Sequence, residues 1–188
     1  MLWASKSRHS VELRGNAMEA KPLISVFRTP HDFALKLFRE AGRTWNAEGL
    51  QCKADHLLNF CVTNSALRDW VIKTLEISAD NAWHDQWRAQ AGGLFGECAD
   101  IANASKHLAV KKVSVANTTQ ELITLGPGGP VHGSERTVDT FEIILSSGQS
   151  HDLFLFLHLI CLEWGKIFQE QAGLQPLPDH GLFLVRFH

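Results

Sequence analysis

Between Leu153 and Phe168 the chain is apolar almost all the way round a helix. Leu153, Phe156, Leu157, Ile160, Trp164, Ile167 and Phe168 recur at helical spacing. A helix that is apolar on every side must sit in a protein core or in a membrane. The apolar run from Leu153 to Leu162 is broken by His158. It falls short of the roughly 20 apolar residues that a membrane span needs. The stretch 151–172 is therefore predicted to be the most buried helix of a bundle. Ser150 or Asp152 starts it, and Gly173 and Pro176 end it.

Three more helical stretches supply the packing partners. Thr29-Pro30-His31-Asp32 is a helix start, with Thr29 as cap, Pro30 in the first position and Asp32 completing a capping box. Phe33, Leu37 and Ala41, with Ala34, Phe38 and Trp45, then predict a helix over 30–48, closed by Gly49. A second helix covers 53–77, with Leu57, Phe60, Cys61, Leu67, Val71, Ile72 and Leu75 on its apolar side. A third covers 81–108, after caps at Ser78 and Asp80. Gly92, Gly93 and Gly96 interrupt it. Glycine costs about 1 kcal/mol against alanine inside a helix, so a kink or a close helix approach is expected there.

After Leu108 the pattern turns β-like. Residues 112–125 are rich in Val, Thr and Ile. Residues 138–145 place Phe141, Ile143 and Leu145 on one face and Glu142 and Ile144 on the other. The Gly- and Pro-rich stretch 126–133 between them reads as a hairpin tip. It lacks the G-K-[ST] and the following helix of a phosphate loop. The predicted fold is mainly α, a four-helix bundle with a two-stranded β-ribbon (about 111–145) inserted between the third and fourth helices. A lone ribbon is marginal in water, so it must lean on the bundle or on a partner. Residues 1–20 read as a disordered or non-native extension, with Met18 as a possible start. Residues 21–173 form the domain and 174–188 a tail, in which 182–187 could dock as a short strand.

With 188 residues, 45% of them apolar and 20% charged, the chain can bury one core without metals or disulfides. A net charge of −2 gives no global pull toward nucleic acid or membrane. The four cysteines form no C-x-x-C pair, and Cys61, Cys98 and Cys161 lie in apolar helical stretches. They read as reduced structural thiols, with no metal or cofactor implied. No signal-peptide apolar region precedes Ala20, so the expected setting is cytoplasmic and not membrane-bound. No H-E-x-x-H, G-x-S-x-G or dinucleotide fingerprint is present. His84-Asp85 lies between Trp83 and Trp87, ordinary packing residues, and His180 and His188 lie in the tail.

At about 100° per residue, Asp100, Asn103 and His107 fall within about 60° of one another on the third helix. They make a polar ridge beside its apolar stripe. On the second helix Asp55, Asn59, Val62, Ala66 and Asp69 align the same way, as a second polar stripe. The two stripes can face water, form a buried structural network, or face each other across a cleft as a site. His107 with Lys106, Lys111 and Lys112 forms the one local basic patch noted in a near-neutral chain. Cations near a helix C-terminus are favoured by the dipole, and such clusters also bind phosphate oxygens. An imidazole can also exchange a proton near neutral pH.

The stretch Asp55-His56-Leu57-Leu58-Asn59-Phe60-Cys61-Val62-Thr63, then Asp69-Trp70, then Asp100-Ile101-Ala102-Asn103-Ala104-Ser105-Lys106-His107, resembles the HEPN superfamily of helical domains, in particular its uncharacterised bacterial and phage-borne members. The resemblance covers about 30–172 and implies a four- or five-helix bundle that often dimerises. Many such domains are metal-independent ribonucleases of toxin–antitoxin and anti-phage defence systems; others are inactive binding modules. Their motif is an Arg followed by a polar residue, then a His. Asn103 and His107 match the last two, but Ala102 stands at the Arg position. Without a guanidinium, the fork that recognises phosphate is missing.

The resemblance implies a homodimeric binding or accessory module of a mobile-element or defence system. Lys106, His107, Lys111 and Lys112 would then contact RNA, and a cognate protein is a further possible partner. The first alternative is a ribonuclease with His107 as general acid/base, Asn103 orienting it and Asp100 on the same ridge. The second is a bundle that binds a protein partner through the ribbon edge.

Overall fold

A computed structural model describes residues 24–104, 115–124 and 135–184. The protein is mainly α-helical with one small antiparallel sheet, as the periodicities indicate. In chain order the elements are α1 (Pro30–Asn46), α2 (Leu50–Thr74), α3 (Asn81–Arg88), a 3-10 turn (Gln90–Gly93), α4 (Leu94–Ala104), β1 (Val115–Thr124), β2 (Glu135–Ile144), β3 (Ser150–Asp152), α5 (Leu153–Glu170) and α6 (Gly181–Leu184).

The capping box opens α1 as expected. Asp32 N–H donates to Thr29 Oγ1 at 3.3 Å, and Thr29 N–H donates to Asp32 Oδ2 at 2.9 Å. Gly49 serves the next helix instead of closing this one. At φ 77° it is the residue from which α2 starts, so α2 begins at Leu50 and not at 53. Only residues 47–49 separate the two helices, a connection short enough to lay them side by side.

The predicted third helix is two helices. Asp80 caps α3 through Trp83 N–H at 2.8 Å. The chain then turns through Ala91, Gly92 and Gly93, all at positive φ, before α4 sets off. At Gly96 a Cβ would lie 3.1 Å from the Arg88 carbonyl oxygen, so the glycine lets α3 and α4 close on each other. The expected kink and the expected close approach are both present.

β1 and β2 pair antiparallel along their full lengths, from Val115 opposite Ile144 to Thr124 opposite Glu135. Phe141, Ile143 and Leu145 are buried against the bundle, on the predicted face. A third strand that the sequence did not suggest, β3, pairs Ile143 with His151 along the other edge of β2. Its last residue, Asp152, caps α5 through Leu155 N–H at 2.7 Å. The ribbon is thereby joined to the buried helix without a loop.

α5 is the core helix. Leu153, Phe156, Leu157, Ile160, Cys161, Trp164, Ile167 and Phe168 are all buried. Fully burying an aliphatic or aromatic side chain of this size contributes about 1.5–3 kcal/mol. Trp164 stacks on Phe95 of α4 with ring centres 5.1 Å apart, and Phe95 meets Trp87 of α3 at 5.3 Å. Cys61, Cys98 and Cys161 are buried free thiols among these residues, while Cys52 is exposed. Burial pushes the Cys98 and Cys161 thiols well up, which keeps them protonated and unreactive.

The end of the chain departs from expectation. Residues 182–184 continue a helical turn, α6, and do not form a strand. That turn packs against α1, where Phe183 meets Phe38 with ring centres 5.7 Å apart. The hairpin tip, residues 1–23 and the rest of the tail, 185–188, lie outside the described residues. No helix among the described residues is long and apolar enough to cross a membrane.

Candidate functional site

The seam between α1 and α2 holds a buried carboxylate. Helical spacing puts Lys36, Glu40 and Arg43 on adjoining positions of α1, four and three residues apart. The Glu40 side chain is 5% exposed. Its Oε1 accepts from Arg43 Nη1 at 2.8 Å and from Lys36 Nζ at 3.4 Å. From α2, His56 places Nδ1 3.3 Å from Oε2. Lys36 Nζ also donates to Thr63 Oγ1 at 2.7 Å, and the Thr63 hydroxyl donates to the Asn59 carbonyl at 2.6 Å. One carboxylate thus anchors two fixed cations and an imidazole from two helices.

Burial acts to raise the Glu40 carboxyl and is the largest single influence on it. Lys36 and Arg43, with the hydrogen bonds from His56 and Lys36, together outweigh burial and hold the group below its ordinary value. Glu40 is therefore ionised at neutral pH. The cations around it remain open to solvent: Lys36, His56 and Arg43 are 27, 34 and 54% exposed. Arg39, on the outer face of α1, is exposed and has no hydrogen-bond or ion-pair partner among the described residues. Asp32, one turn before Lys36, is occupied by the helix cap. The result is a ridge of two cations held over one carboxylate, with Arg39 beside them in solvent.

His56 adds a directional group. A neutral imidazole that donates Nδ1–H to Glu40 keeps Nε2 as an acceptor, and a charged one presents Nε2–H. A phosphate oxygen at the ridge would meet a guanidinium fork, an ammonium and this ring nitrogen. Among the described residues, no group of three or more His, Cys, Asp or Glu side chains is placed to hold a metal ion.

The residues singled out from sequence fall elsewhere. Asp100 is half-buried, and its Oδ2 accepts from Arg88 Nη2 at 2.8 Å. Asn103 is exposed. Lys106, His107, Lys111 and Lys112 lie outside the described residues. Ala102 is buried, so the position matching the Arg of the HEPN motif points into the core.

On α2, Asp55, Asn59 and Asp69 are exposed. Asp55 accepts from Gln51 Nε2 at 3.1 Å, and Asp69 pairs with Arg68 at 2.7 Å. Val62, in the same stripe, is also exposed. The stripe lies opposite Leu57, Phe60, Cys61, Asn64, Leu67 and Val71, the buried side of α2. Of the three arrangements open to the two stripes, α2 takes the first and turns its stripe to water, so among the described residues no cleft forms between them.

The Glu40 cluster was missed in the sequence. The available signal was a Lys, Glu and Arg at helical spacing beside the apolar face of α1. His56 and Thr63 could not be added without knowing which face of α2 meets α1. Compared with known proteins, the chain matches no family model, no curated protein and no solved structure.

Proposed function

We propose that this protein is a binding module for RNA, docking the phosphate backbone on the α1 ridge of Lys36, Arg39 and Arg43 with His56 from α2. The observation that carries the reading is the Glu40 cluster. A buried carboxylate holds two cations and an imidazole in fixed positions, while their outer atoms stay in water. Cations fixed in advance lose little side-chain entropy on binding, and a partly desolvated ridge concentrates the local field. A chain with net charge −2 that gathers three cations on one helix face, two of them held in place, has a local excess suited to a polyanion. The HEPN resemblance supports the same class of partner, and it adds a homodimer in a cytoplasmic mobile-element or defence setting. A cognate protein bound at the ribbon edge belongs to the same proposal.

The test is a fluorescence-anisotropy titration with a short single-stranded RNA at low and raised salt. Wild type binds at low salt and weakens as salt rises. The triple variant Lys36→Ala, Arg39→Ala, Arg43→Ala loses at least about tenfold in affinity at low salt, a loss of about 1.4 kcal/mol. Equal binding by the triple variant overturns the assignment of the ridge. Sedimentation at several concentrations tests the dimer, and a concentration-independent monomer removes it.

One geometric feature favours a second reading, a metal-independent ribonuclease. Glu40 orients the His56 imidazole beside two cations, the arrangement of a positioned general base. Incubation with RNA in chelator decides it. Cleavage abolished by His56→Ala supports this reading. Cleavage abolished only by His107→Ala returns the activity to the motif-like ridge on the third predicted helix. No cleavage by wild type leaves the binding module.

A further inference from the structure

The segment 177–184 is held on the bundle by a pair of histidines that no part of the RNA reading uses. His180, only 8% exposed, places Nε2 2.8 Å from Nδ1 of His158 on α5. Their ring centres are 4.7 Å apart. His158 is stacked nearly parallel on Phe154, and His180 packs edge-on against Phe38 of α1. The rest of the segment docks by apolar contact and by one long bond: Leu184 is buried, Phe183 covers Phe38 and Gly42, and Asn46 Nδ2 donates to the Leu184 carbonyl at 3.4 Å. Among the described residues, the histidine pair is thus the principal polar tie between this segment and α5.

A hydrogen bond between two imidazoles needs one ring nitrogen to donate and the other to accept. It forms when both rings are neutral, or when a single charge is shared. With both rings protonated, two N–H groups point at each other across 2.8 Å in a partly buried site. The groups that act on His180 are His158 from α5 and Asp179 from its own segment, whose Oδ1 lies 3.8 Å from Nδ1. Asp179 is largely in water and on the far side of the ring, so solvent screens it and it does not relieve the contact. α1 presents Phe38, Gly42 and Asn46 here, none of them titratable.

We propose that His158 and His180 act as a proton-operated clasp on the C-terminal segment, closed while the two imidazoles share a hydrogen bond and opened when both carry charge. Opening uncovers Phe38 and the Gly42 backbone on α1 together with His158 on α5. Burial, and then the neighbouring imidazole, act against charging His180 and hold it below its ordinary value. The folded state therefore binds fewer protons than the unfolded one as pH falls through about 6.5, and docking weakens from there downward.

The test follows amide protection of Leu182 and Phe183, whose N–H groups donate to the Asp179 and His180 carbonyls. Protection factors, corrected for intrinsic exchange, are compared at pH 7.5 and pH 5.0. Wild type loses about tenfold or more, the equivalent of one pKa unit of linkage. The variant His158→Asn, His180→Gln changes by less than about twofold, because an Asn amide mimics Nδ1, a Gln amide mimics Nε2, and neither can be charged. Equal protection of wild type at both pH values overturns the clasp. So does a loss in the variant as large as in wild type. If the variant does not fold, the imidazole titration of wild type followed by NMR decides instead. Two separated steps belong to a coupled pair, and two ordinary independent titrations overturn it.

Discussion

Gly42 on α1 carries the Phe183 carbonyl where a side chain of its own would sit: a Cβ added there would overlap that oxygen. The obstacle is backbone and cannot be relieved by a rotamer change. Gly42 lies inside a helix, where alanine is better by about 1 kcal/mol. Two effects therefore compete in Gly42→Ala, and the less costly solution is for the short α6 turn to leave while α1 keeps its gain. The expected result is loss of amide protection at Leu182 and Phe183 with the melting temperature moved by only a few degrees. Unchanged protection at these amides would contradict the close approach.

Trp164 Nε1 donates to Asn64 Oδ1 at 2.7 Å in the middle of the core. Among the described residues the Asn64 Nδ2 group has no hydrogen-bond partner of normal geometry, so this amide is only half satisfied. Asn64→Leu removes the acceptor and strands the indole N–H, at a cost of about 1–3 kcal/mol. Adding Trp164→Phe removes the stranded donor as well. The double variant is expected to cost less than the two single changes together, with a coupling of at least about 0.5 kcal/mol by urea unfolding. Strict additivity would mean that the bond contributes nothing beyond its packing.

How much was legible in the sequence depends on how local the signal is. Thr29, Pro30 and Asp32 specify the start of α1 among themselves, and that start is found where expected. The seven apolar residues between Leu153 and Phe168 that share helical spacing are all buried, because that spacing puts them on the side of α5 that meets the core, while Phe154 and Leu162 on its other side are exposed. Phe141, Ile143 and Leu145 could be placed by alternation for the same reason. Gly49 was misread as a stop because glycine serves both helix ends, and only the course of the chain beyond it shows which. Leu182, Phe183 and Leu184 were misread as a strand because three apolar residues carry no period, and α1 decides their form by packing on them. The polar stripes were harder to place for a related reason. Asp100, Asn103 and the α2 stripe were selected as polar residues sharing a face, and sharing a face is also what water-facing residues do. Glu40 and His56 meet only because α1 and α2 lie side by side across a turn of three residues.

Each cation of the α1 ridge that neutralises a phosphate adds to the salt dependence of binding. Single substitutions Lys36→Ala, Arg39→Ala and Arg43→Ala are expected to lower the slope of log K against log salt by about 0.7 each on single-stranded RNA. Arg39 separates this effect from folding, because it has no partner among the described residues and its removal leaves stability within about 0.5 kcal/mol. An Arg39→Ala slope equal to wild type would place the phosphates off the outer face of α1.

Glu40→Gln tests the anchor while keeping its shape. The carboxyl is held below its ordinary value of 4.5, so the folded state binds fewer protons than the unfolded state around and below that pH. Its contribution to stability is complete above about 4.5 and disappears as pH falls through the lower folded value. The variant lacks this contribution throughout, so it should be less stable than wild type at pH 7 and lose less on going from pH 5 to pH 3. Binding should fall with it. Without the carboxylate, Lys36, Arg43 and His56 lose the partner that positions them, so RNA affinity drops at low salt although the ridge gains local positive charge. Equal or stronger binding at low salt would show that the charge of the ridge outweighs its order, and would remove the positioning role of Glu40.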